Sequence, residues 1–119
     1  MEDYVNYMIS LGADKIPHRD DNLLAHSTRV SGLLYNYGRS MDEVKAGLFH
    51  SIYGTEFQMY KINVSRQEVI DVIGENSEHI VNLFCSLNDR VNTILYCKGL
   101  SEPDKTNLRW LEYCNIQDQ

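Results

Sequence analysis

Proline is nearly absent: Pro17 and Pro103 are the only two in the chain. With so little proline and no low-complexity tract, composition gives no reason for disorder away from the ends. Long apolar runs are also missing. No stretch approaches the roughly 20 apolar residues that a membrane-spanning helix needs, and the N-terminal MEDYVNYMISLG is acidic, without the apolar core of a signal peptide. Both absences argue against a membrane and for a cytoplasmic setting. Basic residues never cluster, and 11 Lys and Arg stand against 17 Asp and Glu, a net charge of −6. Duplex nucleic acid, whose binding rests on phosphate neutralisation, is therefore not the expected partner. A small nucleotide-like ligand stays compatible, because one local site can be positive on an acidic protein. Cysteine is scarce and odd in number: Cys85, Cys97 and Cys114, with no CxxC pair. They read as reduced, buried thiols and make no zinc ribbon. There is no glycine-rich phosphate loop and no Ser-His-Asp order. Nothing in the composition fixes the oligomeric state.

What is present is helical periodicity. The 119 residues, 43% of them apolar, suffice for one domain spanning 1–119 with a core of its own. Tyr4, Val5, Met8, Ile9 and Leu11 make a helical stripe that ends at Gly12. Residues 13–20, with Pro17, read as a loop. Asp20 or Asp21 is expected to cap a helix through Leu23, Val30, Leu33, Leu34 and Tyr37, closed by Gly38. Ser40–Glu43 has the form of a capping box and starts a third helix, expected to end at Gly54. Ser65–Glu68 repeats the box ahead of Val69, Ile70, Val72 and Ile73. Residues 77–97 should form the longest helix, and Ser101–Asp104 opens the last one, with Pro103 tolerated in its first turn. Residues 57–64 read as a loop with a helical turn. The expected fold is all-α, an orthogonal bundle of five to seven helices. Trp110 and Tyr113 read as packing of the terminal helix.

Four histidines carry the chemical interest. His26 falls inside an apolar stripe, three residues after Leu23 and four before Val30. A buried ring there needs a partner, since leaving it unpaired costs about 1–3 kcal/mol. A core histidine satisfied by a carbonyl is the plainer reading of such a residue taken alone. His50 lies near a helix end beside the small pair Ala46 and Gly47, which lets another helix or a ligand come close. Ser51, Tyr53, Thr55 and Glu56 follow it, a polar cluster that suits a ligand pocket or a capped terminus. Asp89 lies opposite the apolar stripe of its helix. Its face also holds Asn82, Cys85, Ser86, Thr93 and Tyr96 but no lysine or glutamate, which suits a half-buried site better than a solvated face. His79, next to Glu78, reads as a surface histidine near a carboxylate. Arg19, Arg66 and Arg90 suit either phosphate anchoring or ion pairing.

The order and spacing of these residues resemble the His-Asp (HD) phosphohydrolases. These place a His on one helix, a His-Asp pair at the end of the next, and a distant Asp on a later helix. The hydrolase domain of the alarmone synthetase–hydrolases is similar: His26 and His50 stand 24 apart, as in that domain, and NDRVNTIL (Asn88–Leu95) looks like its later ADRLHNMRT motif. A second resemblance is to small bacterial and viral HD-like proteins that share HSIYGTE (His50–Glu56), the upstream Pro17, His18 and His26, and the stretch through Ile73–Glu75, Leu83–Cys85 and Asp89–Arg90.

The resemblance implies an HD-domain-like fold and a divalent transition metal held by His26, His50 and Asp89. Asn92 would lie near a nucleotide, with Arg90, Tyr53 and Thr55 on the ligand side. The chain departs from the pattern where Ser51 replaces the Asp of the His-Asp pair. Two explanations compete. Either the metal has been lost, leaving a module that binds a nucleotide or a protein partner without turnover, or His18 replaces the missing ligand. In the second case His18, His26, His50 and Asp89 form a three-His-one-carboxylate set suited to Fe, Mn, Ni or Zn. Glu56 and Ser51 are then the candidate catalytic groups. The reaction expected is metal-dependent hydrolysis, or an oxygenase variant, on a small phosphorylated or polar metabolite.

Overall fold

The computed structural model describes residues 1–54, 62–87 and 99–119. Among these are six α-helices: α1 (Glu2–Ser10), α2 (Leu23–Asn36), α3 (Met41–Phe49), α4 (Arg66–Ile73), α5 (Glu75–Ser86) and α6 (Glu102–Gln117). A 3-10 turn at Ala13–Lys15 and a two-residue antiparallel ladder separate α1 from α2. The ladder pairs β1 (Pro17–His18) with β2 (Asp21–Asn22). The architecture is the all-α bundle that the periodicity predicts, and this ladder lies inside the expected loop.

Serine starts three of the helices. The Ser40 hydroxyl accepts the Glu43 N–H while the Glu43 carboxylate reaches back, a complete capping box. Ser65 and Ser101 accept the N–H three residues on, from Glu68 and Asp104. The box expected at Ser65 is only half formed: the Ser65 hydroxyl accepts the Glu68 N–H and donates to the Glu68 carboxylate. At α2 the cap is Asn22, whose side chain accepts the Ala25 N–H at 2.8 Å, in place of the expected Asp20 or Asp21. The β-ladder keeps the backbone extended through Asn22, so the residue next to Leu23 takes the capping position. Asp21 instead accepts the Asn22 N–H and a bond from Arg29.

Two further boundaries move. α3 ends at Phe49 with His50 as its C-cap, and residues 51–53 form a turn rather than more helix. α5 begins at Glu75, not 77, because Gly74 at φ 90° turns the chain directly from α4 into α5. Leu87, at ψ 126°, is extended and ends the helix after Ser86. The expected continuation to residue 97 lies outside the described residues, as does most of the stretch 57–64.

The core sits where α2, α3 and α5 meet under α6. Val30, Leu34, Leu48, Phe49, Val81, Phe84, Leu108 and Leu111 are all buried there. Each such side chain contributes about 1.5–3 kcal/mol of burial. α2 and α3 approach each other closely at Gly47. A β-carbon at that position would stand 2.6 Å from Leu34 Cδ1 and 3.3 Å from Ser31 Cα. Ser31 closes the same contact by donating to the Val44 carbonyl at 2.8 Å. The small residue therefore admits a neighbouring helix, one of the two uses its size suggests. Among the described residues, no helix is long and apolar enough to cross a membrane.

Candidate functional site

The bundle brings three of the four histidines into one column. Leu23, His26, Val30 and Leu34 follow each other at helical spacing, so the stripe that buries the leucines buries His26 as well. His50 arrives from the end of α3 and His18 from the ladder ahead of α2. The His18 ring stacks on His26 with centroids 4.2 Å apart and planes 21° apart. His26 meets His50 edge to face at 5.1 Å, and His50 meets Phe84 of α5 at 5.5 Å. His26 and His50 are each only 1% exposed.

The hydrogen bonds of these rings constrain their chemistry. His50 Nδ1 donates to the Gly47 carbonyl at 2.7 Å, which in the neutral ring leaves the lone pair on Nε2. His26 Nδ1 lies 2.7 Å from Asp118 Oδ2, and its Nε2 lies 2.8 Å from Asn115 Oδ1. The Asn115 amide is oriented by its own donation to Glu112 at 3.0 Å, so oxygen is the atom it turns to His26. Two acceptors are matched in full only by a ring carrying both protons. Asp118 also accepts from Arg29 Nε at 2.7 Å, and Arg29 reaches Asp21 at 3.1 Å. Burial pushes the Asp118 carboxyl up, but the bonds from Arg29 and His26 outweigh it and hold it below the usual carboxylate range. Burial, followed by the charges of His26 and Arg19, holds the His18 imidazole below its ordinary value.

Not every buried polar atom here has a partner. His18 Nε2, Ser27 Oγ and Asp14 Oδ1 are buried without a hydrogen bond, and Ser27 is fully buried next to His26. Among the described residues, no group of three His, Cys, Asp or Glu side chains is arranged to hold a metal ion.

Other sequence candidates are distributed differently. Ser51 is buried on the turn beside His50. Tyr53 points to another network, donating its hydroxyl to Glu78 at 2.8 Å. Glu78 is 1% exposed and takes two bonds from Arg66, at 2.8 and 2.9 Å. Burial raises the Glu78 carboxyl, and the bonds from Arg66 and Tyr53 more than reverse this, leaving it below its ordinary value. Burial and Glu78 together drive the Tyr53 hydroxyl up. Arg66 is thus an ion-pairing residue. Arg19 donates to Gln119 at 3.2 Å, and exposed His79 pairs with Asp104 of α6 at 3.1 Å rather than with its neighbour Glu78. Cys114 is buried and Cys85 half-buried, its thiol donating to the His50 carbonyl at 3.0 Å. Thr55, Glu56, Asp89, Arg90, Asn92 and Cys97 lie outside the described residues.

Asp118 and Asn115 escaped the sequence reading. They follow His26 by 92 and 89 residues, and nothing local marks them as its partners. One signal was available: Glu112, Asn115 and Asp118 recur every three residues beside the apolar Leu108 and Leu111, a polar stripe on the side of a helix that faces the core.

A family model described as a domain of unknown function, DUF6817, matches residues 7–90 of the chain. That span contains His18, His26 and His50 and stops short of α6. No curated protein and no solved structure matches the chain.

Proposed function

The chain belongs to the DUF6817 family, and from that premise we propose that its histidine column is the metal centre of an HD-like hydrolase or oxygenase acting on a small phosphorylated or polar metabolite. One observation carries the reading. His26 and His50 both commit Nδ1 to a protein oxygen, while the His18 ring stacked on His26 has its Nε2 buried and unpartnered. Metal-binding histidines are commonly oriented in this way, with a carboxylate or carbonyl on one nitrogen and the ion on the other. On this reading His18, His26 and His50 would hold the ion, with Asp89 as the proposed carboxylate, and His26 Nε2 would have to be released from Asn115. A divalent transition metal, Fe, Mn, Ni or Zn, would supply Lewis acidity and lower the pKa of water.

The chain's own groups do the remaining work. Asp118 and the Gly47 carbonyl orient the two core imidazoles. Phe84 and the α2 stripe keep bulk water from them. Glu56 and Ser51 are the proposed catalytic groups and Arg90, Asn92 and Thr55 the proposed ligand-binding ones, while Tyr53 is held by Glu78.

The test is plasma-emission metal analysis of the full chain purified without chelator. The expected result is about one metal per chain, lost in His26→Ala, His50→Ala and Asp89→Ala. A metal-free wild type that stays metal-free after reconstitution would overturn the proposal. A second reading, an HD-like module that binds a nucleotide or protein partner without turnover, is favoured by Ser51 in the pair and by Asn115 on His26 Nε2. Metal-free protein that binds a nucleotide would select it.

A further inference from the structure

The apolar anchor of α6 stops one turn before the helix does. Leu108, Leu111 and Cys114 are buried, whereas Ile116, the only apolar side chain after Cys114, is 56% exposed. Trp110 and Tyr113 pack against Tyr37, the C-cap of α2, with ring centroids 5.3 and 5.8 Å away. Residues 115–119 are held on the bundle chiefly by polar bonds. Asp118 takes His26 and Arg29, and Asn115 takes His26. Gln117 accepts from the Tyr37 hydroxyl at 2.9 Å, and Gln119 accepts from Arg19 at 3.2 Å. Three of these partners, Arg19, Arg29 and Tyr37, are exposed.

Such an attachment is weaker than that of the rest of the helix. A hydrogen bond at an exposed site is exchanged for water at little net cost, whereas a buried leucine is not. Segments with few buried apolar contacts open locally, well before the whole fold does. What this segment covers gives its opening a consequence. While it is closed, both nitrogens of His26 are taken, Nδ1 by Asp118 and Nε2 by Asn115, and the ring is 1% exposed. Gln119 donates to the same Asn115 oxygen at 3.4 Å, so the two ends of the segment are tied together.

We infer that residues 115–119 form a strap that gates the histidine column: closed, it occupies the central imidazole; open, it frees His26 Nε2 for a ligand without unfolding the bundle. The strap stands on its own contacts; that the ligand is a metal ion rests on the reading proposed above.

Carbethoxylation by diethyl pyrocarbonate needs an unengaged imidazole nitrogen, so it reports the gate in the metal-free full chain, residue by residue, by mass spectrometry. Exposed His79 serves as the reference for the reagent. Far below the urea midpoint, His26 should label at a rate nearly independent of urea, because local opening exposes little surface. Arg29→Gln should raise that rate about tenfold. Tyr37→Phe, which leaves the Arg29–Asp21 pair in place, should raise it about threefold, each the worth of one lost bond. Labelling that climbs with urea along the line of global unfolding, or a rate unchanged in both variants, would overturn the strap. Cobalt(II) titration of the same three proteins separates the strap from the metal reading. Affinity about tenfold higher in Arg29→Gln supports both, because a closed site is bound in proportion to its open fraction. Equal affinity in all three overturns the gate. No uptake by any of them, with His26 labelling as expected, overturns the metal reading and upholds the strap.

Discussion

Two buried polar networks lie within the same bundle and are built on opposite terms. Around Glu78, every atom is matched: one carboxylate oxygen takes Arg66 Nη2, the other takes Arg66 Nε and the Tyr53 hydroxyl. Around His26, the partners come from the far end of the chain, and Nε2 of the stacked His18 has none. A buried polar network that is fully satisfied ties elements together, here the turn after α3 to the starts of α4 and α5. One that leaves atoms unpaired carries a cost with no structural return, and such sites are where function is sought.

The contrast can be broken experimentally, and the largest effect should fall on the satisfied network. Glu78→Ala removes the acceptor of three hydrogen bonds at a buried position. It should cost about 3 kcal/mol, read as a clear fall in the urea midpoint; a change under about 1 kcal/mol would mean that the network is ornamental. Gly47→Ala should cost about 2 kcal/mol, because its methyl meets Leu34 and the Ser31 backbone across the α2–α3 contact. The same variant should disturb the carbonyl that holds His50. Smaller again is the dependence on acid. Glu78 takes up a proton less readily folded than unfolded, so its contribution is fully present above the unfolded carboxylate range. It is lost as pH falls through roughly 4 and below. Wild type should therefore lose stability on acidification more steeply than Glu78→Gln, in parallel denaturation series. The smallest effect on stability should come from the unsatisfied network. His18→Ala removes an unpartnered nitrogen and one stacked ring, and should shift stability by less than about 1 kcal/mol, while abolishing metal retention if the proposed centre is correct. A large destabilisation with metal content intact would reverse the roles assigned to the two networks.

Much of the helical frame was legible in the sequence because its signals are local. Ser40, Ser65 and Ser101 announce helix starts by side chains that bond three residues on, and Gly12, Gly38 and Gly74 mark the ends. Errors arose where a local signal met a competing one. The ladder at 17–22 moved the α2 cap from the aspartates to Asn22, and Gly74 allowed α5 to follow α4 without a linker. A shared site of His26, His50 and Asp89, with His18 as a substitute ligand, was expected from order and spacing set beside a resemblance; the structure stacks His18 on His26 and sets His26 against His50, and Asp89 lies outside the described residues. Asp118, Asn115 and the Glu78–Arg66–Tyr53 triad were not legible. Their pairings span between 12 and 92 residues, and periodicity along one helix says nothing about which distant side chain it will face.

The bond from His26 to residues 115 and 118 also has a temporal meaning. A chain growing from its N-terminus completes α2, and His26 with it, while the two acceptors of that imidazole are still unsynthesised. The imidazole therefore waits for the last turn of α6, and a product stopped before position 115 would carry the histidines without the groups that orient the central one. The site is therefore completed last, by the closing turn of the chain's final helix.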